Sequence, residues 1–291
     1  MKRQWAGTTY GNGWMHRWLI RMLRVMDVRI LYTFVAIFVI PVCLILNPSR
    51  HTAYYYFRHR RKYGRFRSAW KTYTNHCIFG TVVIDKFAMY AGKKFRVDAV
   101  GKERFDELTQ QPDGFLMFSS HIGNYEIAGY SFQTESKAIN ALVFDGEKAS
   151  VMNGREKMFS DKNIFMIPIK SDMSHLFLID KALHDGEIVS MPADRINGSP
   201  KYLELDFLGA KAKFSQGAFS VATMRGLTVL AVNVMKTSLT GYTAYVTELE
   251  YDKGAARKEQ ISQLSKAYVR ELERMLDMYP AQWYNFFDFW T

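Results

Sequence analysis

Seventeen consecutive residues, Ile30–Leu46 (ILYTFVAIFVIPVCLIL), carry no charge. A run that apolar has to be covered by a protein core or by lipid. It lies at the lower edge of what crosses a bilayer, which takes roughly 20 apolar residues and about 17 at the least. Pro41 sits inside it and predicts a kink or break, because proline removes a backbone donor and crowds the preceding turn. Arg17, Arg21, Arg24 and Arg29 precede the run, and Arg58, Arg60, Arg61, Lys62, Arg65 and Arg67 follow it. With cations on both sides, the positive-inside rule gives no orientation. The sequence after the run, NPSRHTAYYY, lacks a small-residue cleavage site, so the stretch is expected to stay in the mature chain.

Charge is distributed just as unevenly. Residues 1–71 hold 14 Lys/Arg and a single acidic residue, Asp27, for a net +13; the whole chain carries +11, so residues 72–291 sum to −2. Tyr54, Tyr55, Tyr56, Phe57, Tyr63 and Phe66 alternate with the cations that follow the apolar run. Rings interleaved with cations suit a lipid headgroup interface, and the cations favour anionic lipids. A buried core helix with a solvated basic face is the plainer alternative. A nucleic-acid surface does not fit, because an apolar 17-mer in the middle of the patch is not how phosphates are tracked. At 48% hydrophobic residues the chain as a whole is not disordered. Cys43 and Cys77, far apart and without neighbouring ligands, predict neither a disulfide framework nor a zinc site.

From about residue 94, short apolar runs alternate with amphipathic stretches. Strands are predicted at Phe95–Val100, Phe115–Ser119, Ala138–Phe144, Ile164–Pro168, Glu187–Met191, Leu203–Phe207, Thr228–Met235 and Tyr242–Glu250. Helices are predicted at Glu103–Gln110, Asn124–Phe132, Lys148–Phe159, Asp172–Leu183, Gln216–Met224 and Arg257–Met278. This alternation predicts an α/β layered domain with a mainly parallel sheet, whose chemistry belongs at the carboxyl ends of the strands. The chain divides into a basic, apolar helical anchoring region, residues 1–90, and an α/β domain, residues 91–291.

The strand Gly114–Ser119 runs into Ser120, His121, Ile122, Gly123, Asn124, Tyr125 and Glu126. A histidine at a strand end and a carboxylate one turn into the next helix can meet across the loop, with the imidazole as general base and the carboxylate fixing its tautomer. Gly123 permits the tight turn, and Asn124 is expected to cap the helix. With seven histidines in the chain, a carboxylate five residues after one of them is close to a chance event, and a lone strand-end histidine is more often structural than catalytic.

The segment SSHIGNYE (Ser119–Glu126) resembles the H-x-G-N-x-E core of the bacterial lipid A biosynthesis acyltransferases, the late lauroyl/myristoyl transferases of the glycerolipid acyltransferase superfamily. MPADRINGS (Met191–Ser199) and LDFLGAKAKFSQGAFSVA (Leu205–Ala222) are similar to that family's Asp-containing strand end and its aromatic-Gly element. YPAQWYNFF (Tyr279–Phe287) is similar to its closing Pro-x-Gln-Trp segment. The resemblance implies an αβα sandwich with an N-terminal membrane anchor, on the cytoplasmic face of the bacterial inner membrane. It implies transfer of a fatty acyl chain from an acyl carrier protein thioester, or from acyl-CoA, to a hydroxyl of a lipid A precursor in lipopolysaccharide synthesis. No metal or organic cofactor is implied. His121 is expected to take the acceptor's proton and Glu126 to orient it. Arg155 is a candidate contact for the oxyanion or an acceptor phosphate, with a surface helix arginine as the alternative. Asp194 and Arg195 are expected at a strand end on the His121 side, shaping the site or holding the acceptor, while Asn197 and Gly198 read as turn residues.

The departures from the family pattern bear on the acceptor. The tail FFDFWT stands where a basic patch is expected, which predicts weaker contact with an anionic acceptor there. Pro192-Ala193-Asp194-Arg195 replaces the Glu-Gly-Thr-Arg type of phosphate motif, which favours a glycolipid over a simple lysophospholipid. Neighbouring branches of the family acylate aminolipids or aryl-polyene lipids, and WAGTTYGNG (Trp5–Gly13) is similar to the second of these, so both acceptors stay open. A silent scaffold that binds lipid or acyl carrier protein, and a thioester hydrolase using the same residues, are the rivals from other classes.

Overall fold

The computed structural model describes residues 12–132, 134–144, 149–159, 162–170, 172–196 and 201–290. The predicted turn at Asn197 and Gly198, the helix start at Lys148 and most of Trp5–Gly13 lie outside these residues.

The described residues open with four short or medium helices, α1 (Gly13–Val25), α2 (Val28–Phe34), α3 (Ile40–Leu46) and α4 (Ser49–Tyr55), and the long α5 (Arg65–Tyr90). The α2 and α3 segments form one continuous helix, Val28–Leu46, through a wide π turn at Val35–Val39. That turn explains why Pro41 does not end the helix. Ile40 donates five residues back, to Val35, and Tyr73 of α5 donates its hydroxyl to the Ala36 carbonyl at 2.9 Å, inside the disturbed ladder. Among the described residues this is one helix long and apolar enough to cross a membrane.

The rest alternates strand and helix as the sequence predicts, except that it adds a strand, Ala210–Ser215, which was not predicted. In order come β1 (Arg96–Val100), α6 (Lys102–Thr109), β2 (Phe115–Ser119), α7 (Tyr125–Ser131), β3 (Ile139–Phe144), α8 (Ala149–Phe159), β4 (Ile164–Ile169), α9 (Ser174–His184) and β5 (Ile188–Pro192). They are followed by β6 (Tyr202–Phe207), β7 (Ala210–Ser215), α10 (Gly217–Met224), β8 (Val229–Lys236), β9 (Gly241–Glu248) and α11 (Arg257–Met278). Seven strands make one sheet in the order β1-β9-β8-β2-β5-β3-β4. β8, β2, β5, β3 and β4 are mutually parallel, whereas β9 runs against β8 and carries β1 with it. The reversal follows from loop length. Residues 237–240 are too few for the crossover of a dozen or more residues that parallel neighbours need.

Both sheet faces are covered, which is why the central strands read as near-continuous apolar runs. Leu116 and Phe118 of β2 face one core with Ile179 of α9, Phe219 of α10 and Tyr268 and Leu272 of α11. Phe115 and Met117 face the other, with Phe105 of α6, Ile127 of α7 and Phe159 of α8. The result is the expected αβα sandwich. Strand Leu203–Phe207, however, joins no part of the main sheet. It pairs with β7 in a separate antiparallel hairpin whose two-residue turn, Leu208 and Gly209, has positive φ at both positions. The alternation of Ala212 and Phe214 with Lys211 and Lys213 was the strand signal in the aromatic-Gly element.

Candidate active site

Strand register brings the first two site residues together. β2 and β5 are parallel neighbours with Ser119 opposite Pro192, so two residues beyond each strand end His121 stands beside Asp194. The His121 backbone N–H donates to Asp194 Oδ2 at 2.8 Å, and Nδ1 lies 2.8 Å from Oδ1. An ionised carboxylate only accepts, so it fixes the proton on Nδ1 and leaves Nε2 as the basic nitrogen. Burial of Asp194, 1% exposed, opposes its charge, but the adjacent His121 and Arg195 outweigh this and hold its pKa below the ordinary carboxylate value. The imidazole itself is 21% exposed and reachable from solvent.

The loop that carries His121 is built by the C-terminal segment. Ile122 bridges Trp283, Gly123 N–H donates to the Gln282 carbonyl at 2.9 Å, and Tyr284 N–H donates to the His121 carbonyl at 3.3 Å. Below it, the Tyr268 hydroxyl donates to the Ser119 carbonyl and to Ser120 Oγ, and Ser120 Oγ donates to Asn233. Gly123 has φ +55°, and a Cβ there would run into the Val234 carbonyl oxygen and approach Met235 Sδ at 2.9 Å. Gly123→Ala is therefore expected to cost more than about 1 kcal/mol, read as a lower urea midpoint at unchanged slope. Asn124 precedes α7 without capping it. Its side-chain amide donates to the Tyr242 hydroxyl at 3.3 Å, while its N–H reaches the Val234 carbonyl.

Glu126 is not hydrogen-bonded to the imidazole, in contrast to the sequence expectation. Its Oε1 meets Lys86 Nζ of α5 at 2.7 Å and Arg155 of α8 at 2.6 Å, and its Oε2 accepts from the Tyr90 hydroxyl at 3.0 Å. The physical reason is charge: the buried Arg155 and the partly buried Lys86 attract the carboxylate of α7, while the register of β2 and β5 already fills Nδ1 with Asp194. Burial alone would raise the Glu126 pKa, but Lys86 and Arg155 overcome it and hold the group at about 2. Its ion pairs thus contribute stability fully above about pH 5, and lose it as pH falls toward 2. Wild type and Glu126→Gln are accordingly expected to differ most in melting temperature at neutral pH and to converge on acidification. Arg155 is buried and committed to Glu126 rather than lying on the surface. Arg195 reaches the Tyr284 carbonyl at 3.2 Å and lies over the Phe287 ring, and so fastens the same C-terminal segment.

Sequence reasoning missed Lys86 and Tyr90, and with them a second buried cluster. Asp85 of α5, fully buried, is hydrogen-bonded by Lys236 at the end of β8, by Tyr242 of β9 and by Tyr32 of the apolar helix. Lys236 also exchanges backbone bonds with the Gln282 side chain. The signal was two adjacent charges, Asp85 and Lys86, inside an otherwise apolar stretch from Gly80 to Tyr90. Among the described residues no group of three His, Cys, Asp or Glu side chains is placed to hold a metal.

A buried carboxylate that orients a solvent-reachable imidazole at the carboxyl end of a sheet is suited to removing a proton from a nucleophile. The profile of the family described as bacterial lipid A biosynthesis acyltransferase matches residues 67–291, from α5 to the C-terminus, and the chain belongs to that family. It is a lipid acyltransferase. No curated protein sequence matches the chain. Among solved structures, the 1-acyl-sn-glycerophosphate (LPA) acyltransferase PlsC from Thermotoga maritima is 14% identical, with a TM-score of 0.38 over 91% of this chain and 98% of that one.

Proposed function

We propose that this enzyme transfers a fatty acyl chain from an acyl carrier protein or CoA thioester to a hydroxyl of a lipid A precursor, with His121 as general base. The supporting observation is the double contact of Asp194 with His121, which leaves Nε2 as the proton acceptor. Nε2 takes the hydroxyl proton as the oxygen attacks the thioester carbonyl. The tetrahedral oxyanion collapses to the ester, and the leaving thiolate recovers the proton from the imidazolium. Asp194 takes the orienting role first expected of Glu126. Glu126, Lys86 and Arg155 form a buried group with one more cation than anions, and Arg155 is our candidate for drawing an acceptor phosphate or the oxyanion toward it. Purified enzyme incubated with a lipid A precursor and either donor tests this reading: an acylated glycolipid is expected, and free fatty acid alone would indicate hydrolysis instead.

The site is proposed to work at the cytoplasmic face of the inner membrane, with residues 1–90 as anchor and 91–291 as catalytic domain. The apolar helix lies along α5, where Gly80 faces Val35 and Ile40 and Asp85 holds Tyr32. Asn75 of α5 in turn donates to the Ala281 and Trp283 carbonyls of the site segment. Since α5 carries Lys71, Asp85 and Lys86, it cannot follow the helix into hydrocarbon, and Val28–Leu46 offers lipid only its outer face, with Phe34, Ile37, Phe38, Val42 and Ile45 exposed. An interfacial helix flanked by cations at both ends fits this better than a span. Ile37→Asp with Phe38→Asp is expected to weaken vesicle binding about a hundredfold or more, measured by flotation.

A further inference from the structure

Beside the start of the apolar helix is a cleft of about 480 Å³ lined by residues 25–29 together with Lys93, Lys94, Phe95 and Thr240. Three cations, Arg29, Lys93 and Lys94, stand in it against one carboxylate, Asp27, whose Oδ1 accepts the Arg29 backbone N–H at 2.8 Å. Among the described residues no ion pair joins Arg29, Lys93 or Lys94 to a carboxylate. The cleft therefore carries net positive charge, and Lys94 also repels Lys162 outside the lining, whose pKa burial and then Lys94 push below the ordinary lysine value. An anion in the cleft relieves that repulsion.

The surroundings identify the anion's source. Val25 in the lining and Ile30 just beyond it are 85% and 58% exposed, and Ile30 begins the apolar outer face of the helix. If that face enters the acyl region, the cleft sits at headgroup depth. β1 begins next to Lys94, and because β1 and β9 run against β8, this is the same end of the sheet as His121. We propose that the cleft binds the phosphate of an anionic lipid headgroup, separate from the His121 site, and so turns the catalytic end of the sheet toward the bilayer. This rests on the membrane reading above.

Flotation of the full chain with phosphatidylcholine vesicles, with and without one-fifth phosphatidylglycerol, tests it. Wild type is expected to bind both and to gain affinity from phosphatidylglycerol. Lys93→Gln with Lys94→Gln is expected to bind neutral vesicles unchanged but to lose about 25-fold on anionic ones, at about fivefold per cation. A Lys253→Gln, Lys258→Gln control keeps the full gain. A lysine-93/94 variant that keeps the gain, or a control that loses as much, overturns the cleft while leaving membrane binding intact. Wild type that floats with neither vesicle overturns the membrane reading and the cleft with it. Displacement by millimolar inorganic phosphate assigns the cleft to free phosphate and overturns the lipid assignment.

Discussion

Asp194→Asn is expected to lower the rate of acyl transfer by about 10⁴-fold with little change in KM and an intact fold. An amide next to Nδ1 can donate its N–H there, which stabilises the tautomer with the proton on Nε2, where it blocks proton abstraction. The carboxylate that would stabilise the imidazolium is lost at the same time. Both contacts of Asp194 with His121 are 2.8 Å, and the pair is buried on the Asp194 side, so water does not substitute readily. Single-turnover kinetics on purified variants measure the effect. Glu126→Gln provides the contrast: it acts on the Lys86 and Arg155 cluster and is expected to move stability and acid sensitivity. A nearly active Asp194→Asn together with a dead, well-folded Glu126→Gln would restore Glu126 as the partner of His121.

Lys236→Ala is expected to have the largest effect on stability, about 3–5 kcal/mol, because it leaves Asp85 charged and fully buried beside two tyrosines. Burial already drives the Asp85 pKa up and the Lys236 pKa down, with their mutual attraction working against both shifts. Removing one partner therefore exposes the whole desolvation cost of the other. The two main-chain bonds of Lys236 with the Gln282 side chain survive this substitution, so the loss is expected in stability rather than in the placement of the His121 loop. Replacing both groups, Asp85→Asn with Lys236→Met, is expected to cost less than Lys236→Ala alone. Urea unfolding of the three variants checks the order, and equal losses for the single and double variants would contradict it.

Much of this architecture was legible in the residues. The alternation of strands and helices points to an α/β layered domain with a mainly parallel sheet, the family resemblance implies the αβα sandwich, and the strand end before His121 places it at the chemically useful edge. The partner of His121 was harder to read. Asp194 is 73 residues away, and only the pairing of Ser119 with Pro192 makes it a neighbour; no local spacing carries that information. Glu126, five residues along, looked like the partner because sequence shows proximity along the chain and not competition from Lys86 and Arg155. Asn124 reads as a cap from its type, yet Tyr242, 118 residues on, takes its amide. The hairpin turn at Leu208 and Gly209 was hidden for a different reason: a leucine in a left-handed conformation contradicts local preference and is held by the packing of β6 on β7.

His121, oriented by Asp194, is proposed to drive acylation of a lipid A precursor. Mass spectrometry of total lipids, including the glycolipid fraction, from cells expressing wild type or His121→Ala tests it most directly. The predicted result is a glycolipid heavier by one acyl chain with wild type and absent with the alanine variant, at equal levels of folded protein. A His121-dependent acylated aminolipid or polyene would keep the mechanism and replace the acceptor. The same acylated glycolipid from a well-folded His121→Ala, or no lipid change with either protein, would contradict the account.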